Sequence, residues 1–129
     1  MKLPYYTLES FENATAEELA KHTNGCGAKD GVKVPNTMWG LNIKKACTLH
    51  DWMQYKGKTY GDFIFSNVMF FYNLTAIIYN NSKWFTLFFR MERALKYFIG
   101  VMSSIGQENY WKTRHKDMSK KITYKGYLK

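Results

Sequence analysis

The sequence is poor in acidic residues, in cysteine and in long uninterrupted apolar runs. Ten acidic side chains stand against nineteen basic ones, which gives a formal net charge of +9 over 129 residues. Two cysteines permit at most one internal disulfide, and their number alone does not indicate a compartment. Hydrophobic residues make up 46% of the chain and aromatic residues 18%, which excludes a disordered protein because the chain can bury ample apolar surface. The length fits a single domain with a modest core.

Neither a secretory signal nor a clear membrane-spanning segment is expected. Residues Met1 to Phe11 contain no long apolar stretch and no cleavage-site pattern. The most apolar stretch, Phe63 to Tyr79, is interrupted by polar residues and is slightly short for a bilayer span. We interpret it as a buried core helix, with a membrane-spanning helix as the alternative. The compartment stays open between the cytoplasm and release by a non-classical route.

The positive charge is concentrated near the C-terminus. From Tyr110 to Lys129 there are seven basic residues and one acid, Asp117, so this segment carries +6. We therefore expect one helical domain over residues 1–109 and a basic C-terminal tail over 110–129. A basic tail binds an anionic partner, such as phospholipid head groups, nucleic acid or an acidic protein, or it only keeps the chain soluble.

The hydrophobic pattern predicts an all-α fold with two or three long packed helices. Thr15 followed by Glu18 is typical of a capping box and opens a short helix that ends near Lys21. Apolar residues at three- and four-residue spacing predict longer helices over residues 41–57, 60–79 and 84–102. Between the short helix and the first of the long ones, residues 23–40 form a glycine-rich loop. A loop of this length is usually functional or disordered.

The residues that could carry chemistry lie on the first long helix and in this loop. His50 and Asp51 are adjacent, so their side chains point about 100° apart and could serve two different neighbours, a water and a metal. Cys47 lies near the same face as His50, and a bridge to Cys26 would hold the loop Asn24-Gly25-Cys26-Gly27 beside His50. Glycines let such a loop turn its carbonyls inward. Carbonyls and one carboxylate are hard oxygen ligands that suit calcium.

Each of these features also has an ordinary explanation. A lone histidine on a helix is more often a core or surface residue, an aspartate beside it is usually solvated, and glycines usually mark turns. The combination is more specific, because one geometry uses all of its members.

The segment Cys47-Thr48-Leu49-His50-Asp51 resembles the Cys-x-x-His-Asp helix motif of the phospholipase A2 superfamily, most closely its small prokaryotic and fungal branch. In that family this cysteine is bonded to a cysteine of the calcium loop, and Cys26 stands in the corresponding place. A second helix of that branch carries an aspartate, then a phenylalanine three residues later and a methionine seven residues later. Asp62, Phe65 and Met69 match this pattern.

The resemblance implies calcium-dependent hydrolysis of phospholipid acyl esters. His50 would be the general base that takes a proton from water, Asp62 would orient its ring, and the backbone N–H of Gly27 would donate to the oxyanion. The resemblance also implies a calcium site. Its ligands would be the carboxylate of Asp51, the carbonyl of Gly25 and the side chain of Asn24, which stands where that branch has an aspartate.

The sequence also departs from the family pattern. The linker to Asp62 is short, Gln54 stands where a tyrosine usually braces the aspartate, and the second disulfide of the prokaryotic branch is absent. A first alternative is therefore a phospholipase A2-like protein that binds membranes or a partner without catalysis. A second alternative is a basic helical protein that binds nucleic acid through its tail, although no recognition motif is present.

The last expectation concerns a membrane surface. The basic tail and the segment Val34 to Trp39 would together dock the protein on anionic phospholipid. The ordinary reading is that Trp39 belongs to the core and the tail is solvated.

Overall fold

The computed structural model describes residues 2–27 and 34–129. In these ranges the elements follow in the order β1 (Tyr6–Leu8), α1 (Glu9–Glu12), α2 (Ala16–His22), β2 (Thr37–Met38), β3 (Leu41–Asn42), α3 (Lys44–Lys56), α4 (Tyr60–Asn81), α5 (Trp84–Met102), α6 (Ser104–Trp111) and β4 (Gly126–Leu128). A mostly helical domain with three long helices is therefore confirmed. Two small antiparallel sheets, β1–β4 and β2–β3, were not predicted.

The helix boundaries follow local signals in the sequence. Helix α2 begins with the predicted capping box, in which Thr15 and Glu18 bond reciprocally. Helix α3 begins at Lys44, later than predicted, because the residues before it form the β2–β3 hairpin. The turn of that hairpin places Trp39 and Gly40 at positive φ, 48° and 79°.

Helix α4 is the central element and packs between α3 and α5. By length and composition it could cross a membrane, but 61% of its apolar window is buried inside the fold. Its polar residues Ser66, Asn67 and Asn73 are buried as well. These side chains make contacts within the protein, which supports the interpretation of α4 as a core helix.

Two asparagines of α4 hold the N-terminal segment along the helix. Asn73 accepts the Tyr6 N–H at 2.8 Å and donates to the Tyr6 carbonyl at 3.0 Å. One heptad later, Asn80 makes the same pair of bonds with Leu3, at 2.8 and 3.0 Å. Each amide therefore satisfies a backbone donor and acceptor as a neighbouring strand would.

Residues 110–129 do not form a separate tail, so the predicted boundary after residue 109 is wrong. Tyr110 is buried, and β4 pairs antiparallel with β1, with Tyr6 opposite Leu128. The hydroxyl of Tyr124 donates to the carbonyl of Met53 on α3. The sequence concealed this arrangement because the lysines of the segment are exposed, while the backbone and the tyrosines make the contacts.

Asp62 joins this C-terminal segment to the start of α4. Its Oδ2 accepts the backbone N–H groups of Lys58 and Thr59 at 3.0 and 3.3 Å, and the Thr123 hydroxyl at 2.6 Å. Its Oδ1 accepts the Thr123 N–H at 2.7 Å. Burial opposes ionisation, but these hydrogen bonds outweigh it and hold the pKa of Asp62 below its ordinary value of 3.8.

We predict that Asp62→Asn destabilises the fold. An amide cannot accept all four hydrogens, and hydrogen bonds to a charged group contribute about 1.5–3 kcal/mol, so urea denaturation at pH 7 should show a loss of about that size. Because the folded-state pKa is lowered, the contribution is present above the unfolded pKa and disappears as the pH falls through the folded one. The control is exposed Glu108→Gln, expected within about 0.5 kcal/mol of wild type. Equal stability of the two variants would show that Asp62 is not the link.

Candidate functional site

Residues 28–33 of the predicted glycine-rich loop lie outside the described residues, and its described part is covalently attached to α3. Cys26 and Cys47 form a disulfide with their Cα atoms 5.0 Å apart, as the resemblance implied. Both cysteines are buried in the main core cluster. Cys47 and His50 lie on the same helix three residues apart, so the disulfide holds the loop close to the histidine.

Asn36 holds the described part of the loop around Cys26, and no signal in the sequence indicated this role. Its side-chain oxygen accepts the Cys26 N–H at 2.9 Å, and its carbonyl accepts the Ile43 N–H at 2.8 Å. Gly25 and Gly27 adopt positive φ of 85° and 89°, as expected for glycines that turn a loop. A Cβ on Gly25 would approach the Asn36 side-chain oxygen to 3.1 Å. Both the positive φ and this close contact therefore favour glycine at position 25.

The predicted metal residues Asp51, Asn24 and Gly25 do lie together. The Asp51 carboxylate accepts the backbone N–H of Asn24 at 2.8 Å and that of Gly25. Burial raises the pKa of Asp51 to about 7, although these two hydrogen bonds act in the opposite direction. The loop therefore meets Asp51 through backbone N–H groups, where the calcium prediction needed carbonyl oxygens.

Among the described residues no three acidic, histidine or cysteine side chains come together as a metal cluster. From the residues that the structure describes here, a calcium ion would have the carboxylate of Asp51, with loop carbonyl and amide oxygens as further ligands. These are hard donors, so the chemistry of the set fits calcium. The Asn24 side chain donates to the Gly27 carbonyl at 3.5 Å, and the oxyanion role of the Gly27 N–H stays a prediction.

His50 is bound by Asn67, and the prediction that Asp62 orients it is wrong. His50 Nε2 lies 2.7 Å from Asn67 Oδ1, whereas Asp62 serves the backbone at the start of α4. Asn67 is on the same helix as Asp62, five residues later. A signal for it was present in the sequence, since an amide inside a long apolar helix must find partners when it is buried.

The neighbours of Asn67 determine which nitrogen of His50 carries the proton. Asn67 Nδ2 lies 3.3 Å from the carbonyl of Val101 and 3.2 Å from the sulfur of Met102. A carbonyl only accepts, so the amide nitrogen faces α5 and Oδ1 faces the histidine. His50 therefore donates from Nε2, and the lone pair of the neutral ring is on Nδ1.

Burial keeps the His50 ring neutral. It lowers the pKa of His50 from 6.5 to about 4, with the Asn67 bond opposing the shift. The ring of Phe70 packs against the imidazole with centroids 4.4 Å apart. Neutral imidazole is the form that can accept a proton at pH 7.

Gln54 completes the hydrogen-bond network. Its amide nitrogen donates to Ser66 Oγ at 2.7 Å and to Asn67 Oδ1 at 3.3 Å. Ser66 in turn donates to the Phe63 carbonyl at 2.8 Å. Gln54 stands where the phospholipase A2 superfamily has a tyrosine that braces the aspartate. Here Gln54 braces Asn67, the hydrogen-bond partner of His50.

His50 and Asp51 line a cavity of about 660 Å³. The loop forms one part of its wall, and Phe70, Tyr97 and Val101 contribute apolar and aromatic surface. Four basic side chains also line the cavity: Lys21, Lys96, Lys112 and Arg114. Its size and mixed lining suit an amphiphilic ligand with an anionic group.

No protein-family model, no curated protein and no solved structure matches this chain. The phospholipase A2 resemblance therefore rests on the residues described above.

We predict that His50 holds its proton on Nε2 and stays neutral down to about pH 4. Nitrogen NMR of histidine-labelled protein should show one protonated and one unprotonated ring nitrogen at pH 6, with the exposed His115 as a reference in the same sample. An imidazolium signal for His50 at pH 6 would contradict the geometry.

We also predict a pH effect of Asp51 on stability in calcium-free buffer. Its folded-state pKa, about 7, lies above the ordinary value of 3.8, so the folded protein loses stability as the pH rises through about 7. Relative to Asp51→Asn, wild type should lose about 2 kcal/mol between pH 5.5 and 8.5, measured by urea unfolding. Exposed Asp117→Asn is the control. Parallel pH profiles for wild type and Asp51→Asn would contradict this account of Asp51.

Proposed function

We propose that the protein hydrolyses acyl esters of phospholipids at His50, with calcium as cofactor. The observation that carries the proposal is the fixed neutral tautomer of His50, whose unprotonated Nδ1 belongs to a ring that lines a lipid-sized cavity beside Asp51 and the disulfide-anchored loop. A water-activating esterase requires three parts of this kind: a base, a carboxylate that can bind a cation, and a cavity for the acyl chain.

The chemistry of His50 follows from its environment. Nδ1 can accept a proton from a water that attacks the ester carbonyl, while Asn67 holds the ring through Nε2. Asn67 is uncharged, so it stabilises the imidazolium that forms less than a carboxylate would. A base with a pKa of about 4 is also weaker than one near 7. We therefore expect slow turnover compared with an enzyme that has a histidine–aspartate pair.

Asp51, the Gly25 carbonyl and the Asn24 side chain would hold the calcium ion. When bound, calcium polarises an ester carbonyl and stabilises negative charge on its oxygen. The N–H groups of Asn24 and Gly25 would compete with the ion for this carboxylate. With this competition and one carboxylate among the described ligands, we expect weak affinity.

The cavity lining indicates the class of substrate. Its four basic side chains stand against the single carboxylate of Asp51 among the described lining residues. A phospholipid with an anionic head group matches this charge better than a neutral ester. Nucleic-acid binding stays an alternative: the lysines of residues 110–129 are exposed, but this segment is paired with β1 and is not a free tail.

A second function, lipid binding without catalysis, is favoured by two observations. The histidine has a neutral amide as its partner, and the two backbone N–H groups already satisfy part of the Asp51 carboxylate. A protein that kept the cavity and lost turnover would look the same. The two functions differ in whether fatty acid is released.

We predict calcium-dependent release of fatty acid from vesicles of equal parts phosphatidylcholine and phosphatidylglycerol, measured by mass spectrometry. His50→Gln should reduce the rate of release about 10²- to 10⁴-fold, the usual contribution of a general base. Chelation of calcium should abolish release by the wild-type protein. Exposed His115→Gln is the matched control.

Asp62→Asn should retain activity when it is assayed well below its unfolding temperature, because Asp62 acts on the fold. Release that is equal in wild type and His50→Gln would contradict the esterase proposal. Vesicle lipid bound without any release would favour the binding protein.

A further inference from the structure

Helix α5 presents a long apolar face to solvent. Trp84 is 83% exposed and Phe88 71% exposed, and Leu95 and Ile99 continue along the helix at 49% and 59%. These residues are spaced by four, seven and four, so they share one stripe of the helix. We call this set the outer α5 face. It comprises Trp84, Phe85, Phe88, Phe89, Leu95 and Ile99.

The outer α5 face is not needed to attach the helix to the protein. Another side of α5 packs on α4, with Ala94 fully buried and Leu87, Met91 and Tyr97 against the core cluster. The helix is therefore apolar on its core side and also on its solvent side. Contiguous exposed apolar surface of this kind marks an interaction site.

Trp39 extends this surface from the neighbouring hairpin. It is 59% exposed, and its ring lies 5.4 Å from that of Phe89. Arg90 holds the hairpin in place, since its guanidinium donates to the carbonyls of Met38 and Trp39 at 3.2 and 2.7 Å. The aromatic surface is thus built from two elements with a fixed relation.

The charges near the outer α5 face are mostly positive. Lys83 precedes the helix, and Arg90, Arg93 and Lys96 lie within it, whereas Glu92 is its single acid. Glu92 is moreover paired with Lys96 at 3.1 Å. A second copy of this chain, also carrying +9, would bring like charge against like. An anionic surface complements the charge, and aromatic residues with lysine and arginine are typical of helices that lie in a membrane interface.

We propose that the outer α5 face and Trp39 insert into the interfacial region of an anionic phospholipid bilayer. Ile99 is adjacent to Gly100, which lines the His50 cavity. Ile105, whose side chain is 60% exposed, lines the same cavity. Docking on this face therefore brings one side of the cavity next to lipid. The proposal concerns binding alone and goes beyond the chemistry at His50.

The test is co-sedimentation with vesicles of equal parts phosphatidylcholine and phosphatidylglycerol, with pure phosphatidylcholine as the comparison. Trp84→Ser/Phe88→Ser should weaken partitioning at least tenfold, and wild type should prefer the anionic vesicles. The matched control is Met118→Ser/Ile122→Ser, which removes two side chains of 61% and 50% exposure from the C-terminal segment. It should bind as wild type does.

His50→Gln should also bind as wild type does, so failure of hydrolysis and failure of docking are distinguishable. Equal loss in the control double variant, or unchanged binding of Trp84→Ser/Phe88→Ser, would overturn the proposal. So would a dimer in sedimentation equilibrium that this variant abolishes, together with absence of vesicle binding, because the face would then be a contact between copies. Circular dichroism verifies that each variant is folded.

Discussion

The hydrogen bond between His50 and Asn67 is the interaction on which the site depends. It joins α3 to α4, and the other end of the Asn67 amide reaches the Val101 carbonyl of α5. One side chain therefore links the three long helices and sets the tautomer of the histidine. Gln54 and Ser66 extend this network, so a change in the packing of α4 would alter the chemistry of the ring.

The same contact shows how far the sequence could predict the site. The resemblance carried by Cys47, His50 and Asp51 correctly implied that the loop and α3 are joined through Cys26. A buried amide on α4 must find partners, but that His50 is the partner of Asn67 could not be predicted. Asp62 and Asn67 are five residues, or about 140°, apart around α4, so they point to different sides of the helix. Which of them faces α3 depends on the short linker and on the position of α4 along the axis of α3. Neither is encoded in a local motif.

The C-terminal segment was mispredicted for a different reason. Its charge pattern is that of a solvated tail, and its lysines are indeed exposed. Two contacts hold the segment in place. Strand β4 pairs with β1 through backbone groups, and Thr123 donates its N–H and its hydroxyl to the carboxylate of Asp62. Contacts between residues so distant in sequence leave no periodic signal. The α5 helix, by contrast, was predicted at both ends, Trp84 and Met102, because its apolar pattern is local in the sequence.

The central claim is that the loop and Asp51 form one cation site beside His50. It is tested most directly by calcium titration of nitrogen-labelled protein, followed through backbone amide signals. We expect saturable shifts of the Asn24 and Gly25 amides as their hydrogen bonds to Asp51 are released, no comparable effect of magnesium, and loss of the shifts in Asp51→Asn. Unchanged Asn24 and Gly25 signals at millimolar calcium, or equal shifts in Asp51→Asn, would contradict the account.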